Sequence, residues 1–370
     1  MIKEIHINNF KSHKATVLNL SPLTVLCGQN GVGKSSVIQS LLLLKQTYDN
    51  NHLDKALDLN KPLCYIGLAK DALYQKADKE IISFKLIEDN FEGSWEYEAH
   101  NPKSDYLKLN SIPIDDNKLE MSLLTKPFHF LSASRFGSTE NYISNGFAVE
   151  VDKQLSLERG KGELTAQFLF FYSKKAVIDA LKHPLEADSS LLEQVTAWER
   201  EISKGVNVVP VKVGNDYEIK FSFNTPDGKT DDFNAENVGF GLSYVLPILV
   251  AILSADKDTL ILIENPEAHL HPYGQAKLAE LIALAAENGI QIIIETHSDH
   301  IVNGLLVAIK NQKIKTNNTK IYYFDRDETQ HSSTITNVPI RPDGKIKNPP
   351  VGFFDQIGKD LRTLMRSNNG

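Results

Sequence analysis

The most constraining stretch of this chain is Gly28-Gln-Asn-Gly-Val-Gly33-Lys34-Ser35-Ser36, with the apolar run Leu23–Cys27 before it and a helix-forming run after it. It satisfies G-x-x-x-x-G-K-[ST] at every required position. Glycines let the backbone curl until several N–H groups point at one phosphate group. A helix starting at Lys34 adds the positive end of its dipole. Asn30, Gly31, Val32, Gly33 and Ser36 are therefore candidate phosphate-binding positions, with Lys34 reaching the β- and γ-phosphates and the Ser35 hydroxyl ligating Mg²⁺. The plain alternative is a strand-turn-helix carrying one lysine, but the motif also demands a strand before it and a helix after it, and both are present.

A length of 370 residues corresponds to two or three domain-sized units, and an apolar fraction of 41% is enough for a buried core. The net charge of −7 argues against a surface devoted to nucleic acid, though not against a local basic groove. Cys27 and Cys64 are too few for a disulfide framework, which points to a reducing compartment. The first residues lack the apolar segment of a secretory signal. The run Val245–Leu253 contains Pro247 and is too short to span a bilayer. The expectation is a cytoplasmic protein with no membrane partner.

Pattern divides the chain. Residues 2–7 and 15–20 read as two strands joined by Asn8–His13. Residues 81–88 and 93–99 alternate in period two around Asp89-Asn90, the signature of an antiparallel hairpin, and 104–110 offers a further strand. Phe128–Leu131 is an apolar strand running into Ser132-Ala-Ser-Arg135. Helical spacing covers Glu163–His183 and again about Ser190–Lys204, with a second hairpin over 206–213 and 217–223. Beyond residue 236 the pattern changes. Continuous apolar strands at 259–264, 290–297 and 321–325 alternate with helices near 242–253, 275–287 and 299–309, which implies a parallel sheet covered on both faces.

Three further groups carry chemistry. The strand 259–264 ends in Glu264, where P-loop enzymes place an acidic metal ligand, and continues Asn265-Pro-Glu267-Ala-His269-Leu-His271-Pro272. A strand ending in a polar turn is the simpler reading of that stretch. Strand 290–296 ends in Glu295-Thr-His297-Ser298, so His297 can sense a γ-phosphate, while Ser298 or Asp299 can equally cap the next helix. Gly239, Gly241 and Ser243 lie at a helix start and form a second candidate phosphate surface, or simply a flexible entry to that helix. The pair Asp325 and Asp327 is weak as a metal signal and reads best as a polar strand end.

Taken in order, the P-loop, the glycine-rich helix start, the apolar strand ending Glu-Asn-Pro-Glu-x-His-Leu-His-Pro and the Glu-Thr-His-Ser segment resemble the ABC-type ATPases. The likeness is strongest to the SMC, RecF and OLD-like branch of bacterial AAA family ATPases. Ile7-Asn-Asn-Phe-Lys-Ser12 and Pro22–Ser36 resemble the same branch. Asp343-Gly-Lys-Ile-Lys-Asn-Pro-Pro-Val-Gly-Phe-Phe-Asp-Gln356 resembles a small C-terminal domain of unknown function found in one subfamily. The resemblance covers residues 1–50, 128–140 and 236–360.

It implies an α/β fold, a P-loop ABC-type ATPase head with a mixed antiparallel β and helical lobe inserted between the two halves of the core. The expected divisions are 1–50 for the P-loop half, 51–235 for the lobe, 236–330 for the second half and 331–370 for a small C-terminal segment. It further implies ATP and Mg²⁺ as cofactors and a second copy of the chain closing head to tail over ATP. Gly239 and Gly241 of one copy would then meet the γ-phosphate held by the other, and His297 would be the switch histidine. Phe10 or a neighbour is offered as the adenine contact.

The sequence departs from the family pattern in three places. Glu264 stands where an aspartate is usual. Asn265 stands where the catalytic glutamate is usual, and an amide cannot take a proton from water. Gly239 stands at the signature serine, leaving Ser243 to supply a hydroxyl. Glu267 is then the candidate base, and slow hydrolysis is expected. Such a protein would control an effector, a nuclease or toxin, in phage defence. A RecF-like repair ATPase acting on DNA and a nucleotide-gated scaffold with negligible turnover are the alternatives.

Overall fold

A computed structural model describes residues 1–111, 121–137, 142–354 and 356–365. In chain order the first part runs β1 (Glu4–Phe10), β2 (His13–Asn19), β3 (Leu23–Gly28), α1 (Lys34–Asp49), β4 (Ala56–Asp58), α2 (Ala69–Ala72), β5 (Ile81–Ile87), β6 (Glu92–Glu98), β7 (Tyr106–Ser111), α3 (Ser122–Thr125) and β8 (Phe128–Leu131). The middle follows with α4 (Thr165–Phe171), α5 (Leu191–Arg200), β9 (Val206–Val213), β10 (Asp216–Thr225), β11 (Gly228–Lys229) and β12 (Phe233–Asn234). The last part is α6 (Phe240–Ser254), β13 (Leu260–Glu264), α7 (Pro272–Glu287), β14 (Gln291–Thr296), α8 (Asp299–Lys310), β15 (Thr319–Asp327), β16 (Ser332–Asn337) and α9 (Gln356–Met365).

The central sheet has the order β16-β15-β3-β14-β13-β8. Every neighbouring pair from β15 to β8 is parallel, and β16 closes the other edge antiparallel. Its inner strands are mainly apolar because both faces are covered, and successive residues enter different cores. Leu23, Val25, Ile261, Ile263, Ile292 and Ile294 pack in one cluster with α6, α7 and α8. Leu26, Leu260, Leu262 and Ile293 pack in the other, against Val37, Ile38 and Leu41–Leu44 of α1. The same period of two sends Glu264 and Glu295 toward the α1 side, since each lies two residues beyond a member of that second cluster. Cys27 is a buried packing residue, and burial pushes its thiol up to about 12.

The residues between 51 and 235 contribute strands to all three sheets. β5, β6, β7 and β4 extend the β1–β2 hairpin into a six-stranded sheet, with β5 pairing directly to β1. β8 joins the central sheet beside β13. Only α4, α5 and the β9–β12 group form a separate layer, packed against α6 within the first core. β15 and β16 form one hairpin across residue 330, which joins the segment expected from 331 to the core sheet.

The helical spacing expected over Glu163–His183 holds only for α4. After Tyr172 the chain turns and becomes extended, with Ala176 bridging Ser190 and Val177 N–H donating to Ser189 O. Lys175 is drawn to Ser254 O and the Asp256 carboxylate. Tertiary pairing outweighs the local pattern there. At the N-terminus, β1 and β2 run closer to their turn than the loop expected over Asn8–His13, because Asn9 and Lys11 adopt positive φ and tighten the reversal. Both expected hairpins, β5–β6 and β9–β10, are formed. Among the described residues no helix is long and apolar enough to cross a membrane. The tail Ser367–Gly370 and Asp355 lie outside the described residues.

Candidate functional site

The P-loop is held from behind before any ligand is considered. Gly33 caps α1 with φ 102°, and a Cβ there would lie 2.2 Å from Ser333 Oγ and 2.6 Å from Ser12 Oγ. Only glycine accepts both that backbone and that crowding. Ser333 Oγ donates to Val32 O at 2.7 Å, and His13 Nε2 lies 2.9 Å from Gly33 O. Burial lowers the His13 imidazole to about 4, so the ring is neutral at pH 7. Gly28, with φ 137°, is pressed against β15, where a Cβ would meet Phe324 O at 2.2 Å. The β1–β2 turn and the β15–β16 hairpin thus form the loop's bed.

Lys34 is buried inside the loop. Its Nζ donates to Gly28 O at 3.1 Å and to Gln29 O at 2.5 Å, with Glu295 Oε1 3.9 Å away. Burial lowers its ammonium, opposed by the Glu295 charge. Ser35 Oγ donates to Glu295 Oε1 at 2.9 Å. Asn30 and Gly31 are exposed, Val32 and Ser36 are buried, and Ser36 N–H closes the first turn onto Gly33 O. α1 begins with no side-chain cap, so its first turn keeps N–H groups for an anion.

Glu264 ends β13 directly beside Glu295 in register on β14. Its Oε2 accepts from Ala133 N–H at 3.0 Å, and burial raises its carboxyl. Burial and the neighbouring Glu264 charge push Glu295 up to about 7. Glu267 is engaged at both oxygens, accepting from Thr296 Oγ1 and from His297 N–H, each at 2.8 Å. The His297 ring lies beside Gly28 and Lys34. Burial, then the Lys34 charge, lowers its imidazole. Lys34, Ser35, Glu264, Glu267 and His297 therefore converge at the C-terminal ends of β3, β14 and β13.

Asn265 has φ 45°, a backbone that asparagine tolerates better than most side chains. Its N–H donates to Glu295 O, so this position turns the chain as well as withholding a carboxylate. His269 and His271 are both exposed, but His269 lies against Phe240 and Tyr244 with ring centroids 4.5 and 5.1 Å apart, and His271 caps α7. Ser298 caps α8 through its hydroxyl.

At the start of α6, Gly239 is exposed and open, with nothing within 4 Å of a Cβ built there. Gly241 abuts the 265–271 loop, where a Cβ would come 2.6 Å from His269 O. Ser243 is different. It is fully buried and its Oγ has no hydrogen-bond partner, so it does not present the hydroxyl expected at the signature. One helical turn past Gly239, position 243 faces the core. Phe10 is likewise fully buried, edge-on to Phe84 at 5.3 Å, and is unavailable to a base. Asp327 caps the β15–β16 turn through Thr329 and Gln330, the polar strand end already expected.

Sequence reasoning passed over Arg135, which is 3% exposed. Its guanidinium donates to the carbonyls of Ser132, Tyr244, Glu264 and Asn265 and stacks 3.9 Å from the Tyr244 ring centroid. Burial lowers it to about 10, still charged at pH 7. It fastens the end of β13 to α6. The apolar strand running into a lone arginine was its only signal.

Ser35 and Glu264 offer hard oxygen donors suited to Mg²⁺. Among the described residues no group of three or more His, Cys, Asp or Glu is arranged so that it could hold a metal ion by itself.

A parallel α/β core with a glycine loop feeding a helix, an acidic strand end two strands away and an antiparallel side sheet defines an ATPase head of the ABC type. The chain belongs to the AAA_21 family, described as "AAA domain, putative AbiEii toxin, Type IV TA system", whose model matches residues 23–303. Residues 314–364 match a second family, "Protein of unknown function (DUF3696)", which begins before β15 and includes the β15–β16 hairpin. The "Old nuclease" of Escherichia phage P2 is 23% identical, with 86% of this chain and 60% of that protein covered. The "OLD nuclease" of Thermus scotoductus is 22% identical, with 80% and 59% covered. The chain thus spans about 60% of the length of these curated relatives. The fold is that of an Smc head solved with the C-terminal winged-helix domain of ScpA, at TM-score 0.56, 13% identity and coverage of 91% and 98%. A Pyrococcus furiosus Smc head with an extended coiled coil gives TM-score 0.53 at 12% identity, covering 99% of both chains. This is an SMC/OLD-like ABC ATPase with the additional C-terminal domain.

Proposed function

We propose that the chain binds ATP and Mg²⁺ through Asn30–Ser36, with Glu264 as the acidic metal ligand, and hydrolyses ATP slowly. A second copy closes head to tail over the nucleotide, its Gly239 and Gly241 meeting the γ-phosphate beside His297. Closure controls a partner effector, a nuclease or toxin, in bacterial phage defence. The observation that carries the ATP reading is Lys34. A buried ammonium held by two loop carbonyls and facing a carboxylate 3.9 Å away is poised for a stronger anionic partner. Bound Mg²⁺ would neutralise phosphate charge. The residues themselves hold the loop open, orient Lys34 and fix His297 through Glu267.

Glu267 is the candidate for positioning the attacking water. Each of its oxygens retains an acceptor site beyond the bond described above. Its two anchoring bonds and the amide at Asn265 also favour a second reading, a nucleotide-gated scaffold with negligible turnover. The effector reading draws support from the family's description and from relatives named as nucleases.

Phosphate release by the purified chain, compared with Lys34→Ala and Glu267→Gln, separates the two readings. Turnover abolished by both variants supports hydrolysis through Glu267, and equal turnover in wild type and Glu267→Gln removes it from that role. Wild-type release no faster than Lys34→Ala, with ATP still bound, selects the scaffold. Co-purification with the product of an adjacent gene, with and without ATP, tests the effector.

A further inference from the structure

Glu295 has no part in the mechanism above, yet it occupies the middle of the site. It sits on β14, between the P-loop strand β3 and the strand β13 that ends in Glu264. It pairs in register with Glu264 on one side and Leu26 on the other. Strand alternation turns both carboxylates to the face carrying α1. One oxygen, Oε1, accepts from Ser35 Oγ at 2.9 Å and lies 3.9 Å from Lys34 Nζ. The other, Oε2, is buried and has no hydrogen-bond partner, although the residue is only 4% exposed.

A buried carboxylate oxygen without a donor is costly, and a second carboxylate beside it raises the cost. Only a proton or a cation relieves both. The neighbouring positions on this face of the core strands, Leu26, Leu262 and Ile293, belong to an apolar cluster, so an acid here is not a packing choice. We propose that Glu295 is a second carboxylate ligand of the nucleotide's Mg²⁺, completing with Ser35 and Glu264 a three-oxygen protein contribution to the ion. This rests on the ATP reading of the P-loop. In the nucleotide-free chain the same carboxylate holds Ser35 and Lys34 in place. With the ion bound, Ser35 and Glu295 would serve as its oxygen donors and Lys34 would be left to the phosphates.

Binding of a fluorescent ATP analogue is measured in EDTA and in Mg²⁺, for wild type, Glu295→Gln and Glu295→Asp. Mn²⁺ in the ternary complex is followed in parallel by electron paramagnetic resonance. In wild type, metal strengthens nucleotide binding. In Glu295→Gln that metal-dependent gain falls by about tenfold or more, the Mn²⁺ signal changes, and binding in EDTA persists, which also certifies the fold. Glu295→Asp, which keeps the charge on a shorter arm, recovers part of the gain.

An undiminished gain with an unchanged Mn²⁺ signal in Glu295→Gln overturns the proposal. So does loss of binding in EDTA as well as in Mg²⁺, which would make Glu295 a support for the loop alone. Failure of wild type to bind ATP in either buffer overturns the ATP reading itself, and is recognised by occurring without any substitution.

Discussion

α1 and α6 both begin at a glycine with no side-chain cap, and the chain treats the two starts differently. Around α1 the loop is bedded on Ser12, His13 and Ser333, and Lys34 and Ser35 already have partners in Gly28, Gln29 and Glu295. Around α6 the support stops one residue short. Gly241 is packed on the His269 carbonyl, while Gly239 and Phe240 are exposed. By contrast, α7 and α8 are closed by His271 and Ser298. The start of α1 is finished inside one chain, whereas that of α6 has its inner residue fixed and its outer residue free, the form expected of a surface completed from outside.

The sharpest way to break this contrast is Lys34→Ala. It should cost about 3–5 kcal/mol of ATP affinity, because the bound phosphates lose their buried cationic partner, as read by equilibrium nucleotide binding. Next is Arg135→Met. Four carbonyls at the end of β13 and the neighbouring loops lose their donor, so stability should fall by about 3 kcal/mol in urea unfolding. A wild-type urea midpoint in this variant would show that Arg135 does not fasten β13 to α6. Gly33→Ala combines a left-handed backbone with the Ser333 and Ser12 contacts and should lose about 2 kcal/mol, whereas Gly239→Ala, at φ −59° with open space, should stay within about 0.5 kcal/mol. Equal losses at the two glycines would erase the distinction drawn above.

A pH-dependent effect follows from His13. Its folded imidazole is lowered from 6.5 to about 4, so below pH 6.5 the unfolded chain takes up a proton that the native chain refuses. Stability should therefore fall as pH drops from about 6.5 to about 4, by up to about 3 kcal/mol from this group. His13→Gln should flatten that part of the profile. An unchanged slope would mean that other groups set it.

Much of this site is legible in the residues. Gly28–Ser36 announces its loop because each position has a backbone or charge requirement, and Glu264 is visible as an acid closing an apolar strand. Glu295 was equally visible by the same parity but was overshadowed by His297 two residues on. Arg135 was not legible, since its four acceptors come from residues spread between Ser132 and Asn265 and only the fold gathers them. Ser243 misled because spacing from Gly239 does not reveal which helical face is buried. The 163–183 stretch misled because its helical pattern yields to pairing with Ser189 and Ser190. The support of the P-loop by Ser333 joins positions 301 residues apart, which no local pattern encodes.

The account turns most directly on whether the open start of α6 is completed by a second copy. Sedimentation equilibrium with saturating Mg²⁺ and ATP should give a dimer for wild type and a monomer without nucleotide. Gly239→Glu, which has room in the single chain but would set a carboxylate against a γ-phosphate, should remain monomeric while still binding ATP. A wild-type chain that binds ATP and stays monomeric, or a Gly239→Glu chain that dimerises as well as wild type, would contradict it.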